Sequence, residues 1–301
     1  MDLRQLRYFV AVVEEGSFTR AAARLHLAQP GVSAQIRRLE RELGLALLDR
    51  SGRSVSLTQV GEAVLPHARA ALRAVEGVRQ SVDELTGLLR GRVAIGLVSG
   101  AATQAFELPT LLADFHDDHP QVEITLAEDT SERMLDALRR GELDIAVVGL
   151  AEEEPPPNLS LQVVIDEPLV AAMAPDDPLL KDVHRTSVPL ATLCDRPLIS
   201  LPRGTGLRGA LDRACAQAGL RPRIAFEAAA PQALAQLAAR GLGVAVVPEL
   251  PAGTAAEFGL RTLKITDPQP RGRIALTWQT HGPGSPAARA FLEHMRTALA
   301  R

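Results

Sequence analysis

Apolar positions recur every three or four residues from Leu3 to Leu89, and beyond Arg92 short apolar runs alternate with amphipathic stretches. Leu3, Leu6, Phe9, Val10 and Val13 predict a helix over residues 3–14, which Glu15-Gly16 ends. Ser17 can cap a second helix, whose stripe is Phe18, Ala21, Ala22 and Leu25. Pro30 suits the opening turn of a third, with Val32, Ile36, Leu39 and Leu43 on its apolar side. A two-stranded wing is expected near Val55–Leu57, with Arg50-Ser51-Gly52-Arg53 as its basic tip. The N-terminal segment, residues 1–58, therefore predicts an all-α winged helix-turn-helix domain.

Opposite its apolar stripe the third helix carries Gln29, Ser33, Gln35, Arg37, Arg38 and Arg41, a face of hydrogen-bond donors. Such a face can enter a major groove and read base edges while its arginines reach phosphates. Arg41 fits a solvated surface equally well. From Gln59 to Leu89, Val64, Ala68, Leu72, Val75, Val78, Val82, Leu85 and Leu89 form a coiled-coil seam. Residues 59–90 are therefore expected to be a long linker helix that dimerises, bent at Pro66 and closed by a hinge at Gly87 and Gly91.

Residues 91–301 predict an α/β domain. Arg92–Val98, Val122–Ala127 and Asp144–Val148 are expected strands, separated by helices at Pro109–His116 and Ser131–Arg140. After the Glu152–Pro157 break a second pass begins at 168–174, with strands at Pro197–Leu201, Ile224–Phe226 and Val244–Val247 and helices at Leu207–Ala218 and Gln232–Arg240. Ile274–Thr280 and Pro286–Leu299 return a strand and a helix to the first lobe, so lobe I covers about 91–162 and 267–301, and lobe II about 163–266.

Composition narrows the function. The 301 residues carry a net charge of −3, but residues 1–58 hold +3, residues 59–91 are neutral and residues 92–301 hold −6. The positive surplus sits with the candidate reading helix, although three charges alone would not establish nucleic-acid binding. No apolar run is long enough to span a bilayer and no export signal opens the chain, so a cytoplasmic location with no membrane contact is expected. Cys194 and Cys215 make neither a disulfide framework nor a zinc site, and His116 and His119, beside Asp117 and Asp118, lack further marked ligands. No metal and no cofactor is expected. A nucleophile motif such as G-x-S-x-G is absent, which leaves an enzyme reading without support.

The run "SFTRAAARLHLAQPGVSAQIRRLERELG" followed by "LLDRSGRSVSLTQVGE" resembles the bacterial LysR-type transcriptional regulators. Ala21-Ala22, Gln29-Pro30, Val32-Ser33, Ile36 to Glu40, Leu43-Gly44, Leu57-Thr58 and Gly61 match in order. "LPTLLADF", "HPQV" and "GELDIAVV" extend the likeness more loosely toward the C-terminus. The resemblance implies that Gln29, Pro30 and Ser33 approach DNA and that Arg53 lies on the wing. Gln35, Arg37 and Arg38 share the donor face. Ala34 stands where many members carry a long polar residue, which removes one base contact, and Leu48 replaces a usual phenylalanine. The resemblance further implies a two-lobed effector domain like the periplasmic binding proteins, a homodimer through the linker helix on a near-palindromic operator, assembly to a homotetramer, and contact with RNA polymerase.

In open α/β sheets ligands sit beyond the carboxyl ends of the strands. Here those loops are Ser99–Thr103, Asp129-Thr130-Ser131, Arg203-Gly204-Thr205-Gly206 and the one that Pro248 opens after Val244–Val247. Ser99, Gly100, Thr103, Thr130, Arg203, Thr205 and Gly206 are the candidate effector residues, with Arg203 expected to hold a carboxylate. Plain N-capping explains Ser99, Thr130 and Thr205 about as well. A small anionic metabolite is the expected inducer. Gly206 matches the reactive cysteine of peroxide-sensing relatives and Cys215 their resolving one, so the sensing thiol is absent. Two other classes fit less of the chain. One is a solute-binding or enzymatic α/β domain with an incidental helix-turn-helix, and the other an architectural DNA protein without a ligand.

Overall fold

The computed structural model describes residues 1–51, 54–85, 89–98, 108–152, 154, 156–182, 184–249 and 252–299. Helix α1 (Leu3–Glu15) opens with a capping box. Asp2 accepts from the Gln5 amide, and Gln5 accepts from the Asp2 amide. Ser17 caps α2 (Phe18–Arg24) as its sequence predicts, whereas α3 (Gln29–Leu43) has no side-chain cap and opens on Pro30. Phe9, Ala21, Val32, Ile36 and Leu39 are fully buried where the three helices meet. Strands β1 (Leu48–Asp49) and β2 (Ser56–Leu57) pair antiparallel as the wing.

Helix α4 runs Gln59–Leu85 with Pro66 inside it. Its first turns belong to the N-terminal core, since Leu65 and Ala68 are buried there. Thr58 tethers the helix to the wing by donating to the Ala46 carbonyl at 2.7 Å and accepting from the Gly61 amide at 3.0 Å. A Cβ on Gly61 would lie 2.1 Å from the Leu47 carbonyl oxygen, so only glycine lets α4 pass the wing so closely. The expected seam divides accordingly. Ala68 is spent inside the head, Val78 is 67% exposed, and Leu89 packs on the lobe I core instead of continuing the helix. The expected hinge residue Gly87 lies outside the described residues.

In lobe I, β3 (Gly91–Leu97) pairs parallel with both β4 (Val122–Glu128) and β5 (Ile145–Leu150). Strand β12 (Arg271–Gln279) then adds antiparallel to β5. Helices α5 (Leu108–Asp118) and α11 (Pro286–Leu299) cover one face, where Phe115 meets Phe291 edge-on at 4.9 Å. Helix α6 (Ser131–Arg139) covers the other with Met134 and Leu138.

The lobes are joined by β6, a single strand of 15 residues, Leu159–Met173. Residues 159–168 pair with β12, and residues 169–173 pair with β10 (Val244–Pro248) and β11 (Arg261–Thr266). The expected division at 162/163 thus falls inside a continuous strand, and the change of partner comes at Pro168/Leu169. Lobe II continues β10 into β8 (Leu198–Ser200) and β9 (Ile224–Glu227), both parallel. Strand β7 (Ser187–Pro189) borders β11, helix α7 (Leu190–Cys194) follows it, and α10 (Ala252–Glu257) precedes β11. Helices α8 (Gly206–Gln217) and α9 (Pro231–Ala239) pack on opposite sides of this sheet.

Candidate DNA-reading head and effector cleft

The 100° turn per residue decides which α3 side chains are free. Gln29, Pro30, Gly31, Ala34, Arg37, Arg38 and Arg41 are exposed on one face, and Gln35 is half-buried at its edge. Ser33 departs from the expectation. It borders the apolar stripe, is 6% exposed, and its Oγ accepts from Arg37 Nη2 at 3.1 Å. Ser33 therefore orients Arg37, and its burial, more than that bond, keeps its hydroxyl from the surface. Arg38 pairs with Glu42 at 3.1 Å, one turn on. Ala34 sits at the centre of the exposed face with nothing long to offer a base. Arg53 and Gly52 of the wing tip lie outside the described residues.

Glu40 organises the wing. Its Oε1 accepts from the Leu47 and Leu48 amides at 3.1 and 3.2 Å, and its Oε2 accepts from Arg50 at 2.6 Å. Arg50 also lies 5.2 Å from the Phe18 ring centroid, so this basic residue is held against the head. The sequence marks Glu40 only as part of a matching motif. A carboxylate that joins recognition helix to wing looks, in one dimension, like any exposed helix charge.

Between the lobes lies a cavity of about 250 Å³. Thr130, Thr205 and Gly206 line it, as expected from their places at the starts of α6 and α8. Thr130 caps α6 by accepting from the Arg133 amide. Thr205 does not cap α8. It donates to the Pro202 carbonyl at 2.7 Å, and this turn, with Gly204 accepting from the Glu132 amide at 3.1 Å, leaves Arg203 exposed and off the cavity wall. Ser99, Gly100 and Thr103 lie outside the described residues.

Part of the wall comes from residues the loop rule does not reach. Ile165 and Glu167 stand on β6, Gly272, Arg273 and Ile274 on β12, and Pro231 opens α9. Burial, reinforced by Glu249, pushes the Glu167 carboxyl above the usual range. The lobes touch where Gly206 meets Gly149. A Cβ on Gly206 would come within 2.4 Å of Gly149 backbone atoms. Cys194 and Cys215 are buried free thiols with sulfurs 3.3 Å apart, and burial together with Cys194 pushes Cys215 up to about 12.

A second junction joins lobe I to the linker. Arg69 of α4 pairs with Glu14 of α1 at 3.5 Å and with Glu142 of lobe I. Arg73 donates to the Gly141 carbonyl, and its burial pulls the guanidinium below its ordinary value. Asp144 beside it is pushed up by burial, although it accepts from the Ala94 amide at 2.9 Å. Helix α6 thus begins at the cavity and ends in the turn that holds α4.

A family model described as LysR substrate binding domain matches residues 86–300, and one described as bacterial regulatory helix-turn-helix protein, lysR family, matches residues 3–62. The chain is 32% identical to the RuBisCO operon transcriptional regulator of Allochromatium vinosum, over 100% of this chain and 97% of that protein. It is also 32% identical to the dual regulator OxyR of Escherichia coli K12, over 99% of this chain and 95% of that one. Among solved structures, a full-length OxyR variant from Pseudomonas aeruginosa superposes with a TM-score of 0.73 at 27% identity, covering 99% of this chain and 94% of the other. CbnR complexed with its target DNA superposes at 0.59 with 26% identity, covering 99% and 100%.

Proposed function

Because the chain belongs to the LysR family of transcriptional regulators, we propose that it binds a near-palindromic operator as a homodimer and answers to a small metabolite held between its lobes. The observation that carries this reading is the exposed face of α3, where Gln29, Arg37, Arg38 and Arg41 stand clear of the head's core. The solved complex of CbnR with its target DNA supports placing such a helix against a duplex. Gln29, Pro30, Gln35, Arg37 and Arg38 are the residues assigned to the groove, Ser33 acts through Arg37, and Arg53 is assigned to the wing's backbone contact. Exposed Val78 supports pairing through α4, and two such dimers would form a tetramer able to reach RNA polymerase in the cytoplasm.

The effector occupies the cavity lined by Thr130, Thr205, Gly206 and Arg273, and Ser99, Gly100 and Thr103 are assigned to it on the sequence alone. An anionic effector draws support from the N-terminal amides of α6 and α8 and from Arg273. Arg203 takes no part in this proposal, being exposed. Occupancy shifts the populations of lobe arrangements. The shift passes along α6 to Arg69 and Arg73, and so to the spacing of paired heads. Footprinting of the chain's upstream DNA, with and without a panel of small carboxylic acids, tests this. A protected, near-symmetric site whose pattern changes with one acid supports it, and no protection at any concentration overturns it.

A further inference from the structure

Two carboxylates stand in the wall of the cavity between the lobes, and only one of them has a partner. Asp129 accepts from the Thr130 amide at 2.7 Å and from Arg133 at 3.5 Å. Glu167, half-buried on β6, makes no hydrogen bond or ion pair among the described residues. Its neighbour Asp166, turned to the other face of the strand, takes Arg271 at 2.7 Å and Arg273 at 3.6 Å. The charge that acts on Glu167 is a second carboxylate, Glu249, which reinforces the effect of burial. Val98, Ile165, Leu201, Leu207 and Ile274 make the rest of its surroundings apolar. A carboxylate so placed is costly to keep ionised, and a ligand that brings a cationic donor removes that cost.

The place of Glu167 in the sheet also fixes what accompanies that cation. Its register partner on β12 is Gly272, and a Cβ there would lie 3.0 Å from the Leu207 side chain. Leu207 follows Gly206 at the start of α8, one of the two helix starts that offer amides to a carboxylate. The seat for a cation and the seat for a carboxylate are therefore neighbours in an otherwise apolar space. At about 250 Å³ the cavity falls just under the roughly 300–1,000 Å³ of drug-sized ligand sites, so its occupant is small. On the reading that this cavity receives the effector, we propose that the effector is an apolar α-amino acid. Glu167 holds its ammonium, the starts of α6 and α8 hold its carboxylate, and Ile165, Leu201 and Ile274 meet its side chain. The same acid without its amino group brings a second negative charge beside Glu167, which opposes binding.

Calorimetry on the full-length protein at about pH 8 tests this with alanine, valine, leucine, isoleucine, methionine and phenylalanine. Each is titrated beside the same acid without its amino group. At least one amino acid should bind saturably at one site per chain, about tenfold or more tightly than its deaminated acid. Glu167→Gln should weaken that amino acid about tenfold or more and tighten the deaminated acid, a crossover that misfolding would not produce. A deaminated acid that binds as tightly as its amino acid, or a Glu167→Gln variant that loses both ligands or changes neither, would overturn the amino-acid assignment. So would the absence of binding in both series, and in each of these cases the cavity reading still stands. Ala229→Trp, at an exposed position of the wall, should block the cavity to both ligands. Binding that survives Ala229→Trp and Glu167→Gln together would place the ligand elsewhere and overturn the cavity reading as well.

Discussion

Glu40→Ala tests how the reading head is held together. The side chain is 13% exposed and accepts from two backbone amides, at 3.1 and 3.2 Å, and from Arg50 at 2.6 Å. Each amide bond to a charged acceptor contributes on the order of 1.5 kcal/mol, and the half-exposed Arg50 pair adds less than about 1 kcal/mol after screening. Loss of the carboxylate therefore costs about 3 kcal/mol, concentrated where the wing meets α3. Hydrogen exchange of the Leu47 and Leu48 amides reads this directly. Their protection should fall about a hundredfold, at roughly 1.4 kcal/mol per tenfold. Glu40→Gln keeps an acceptor but loses the charge, so its fall should be about tenfold. DNA affinity should weaken in the same order, because the wing is no longer held against the recognition helix. Exchange at both amides within about threefold of the native rate in Glu40→Ala would refute the clamp, since even one lost amide bond predicts more.

Gly206→Ala places a methyl group within 2.4 Å of the Gly149 backbone, and this cannot be relieved by a rotamer change. Urea unfolding should show a loss of about 1–3 kcal/mol, or solution scattering should show separated lobes, whereas Gly253→Ala, with open space around it, should show neither. Glu167 holds its proton more tightly in the folded chain than in the unfolded one. Its contribution is therefore favourable below the ordinary glutamate value and is lost as pH rises through the folded value. Glu167→Gln should flatten that fall in a pH series of urea unfolding, and an unchanged profile would contradict the assignment. Arg73→Ala leaves the Gly141 carbonyl without its donor and should cost about 1–2 kcal/mol of stability. It should also abolish any metabolite effect on footprints while leaving DNA binding itself intact.

The helical period of the N-terminal segment carried the head into view, because Val32, Ile36 and Leu39 are buried where the pattern puts them. Ser33 was misplaced for a physical reason. At the border of a stripe, a small hydroxyl can be buried or exposed, and only the Arg37 partner decides it. The sequence pattern marks the end of β6 at 168–173 but not its run from Leu159, because Asp166, Glu167 and Pro168 interrupt the apolar pattern at the point where it changes sheets. Strand β11 shows in the alternation of Leu263 and Ile265 with Thr262 and Lys264, a pattern too short to stand out from the neighbouring loops. The loop rule found the cavity's Thr130, Thr205 and Gly206 but not Arg273 or Glu167, which stand on crossing strands and not at strand ends. It also aimed Arg203 inward, where the Thr205–Pro202 turn points it to solvent.

DNA reading by the α3 face is open to a direct binding measurement. Fluorescence anisotropy of the full-length chain, titrated against its own upstream DNA and against a scrambled duplex over a salt series, tests it most directly. A reading α3 face should bind the upstream DNA more tightly at every salt concentration, with an affinity that falls steeply as salt rises. Arg37→Ala and Arg38→Ala should weaken binding to both duplexes. Equal affinity for the two duplexes, or an affinity that both substitutions leave untouched, would contradict it.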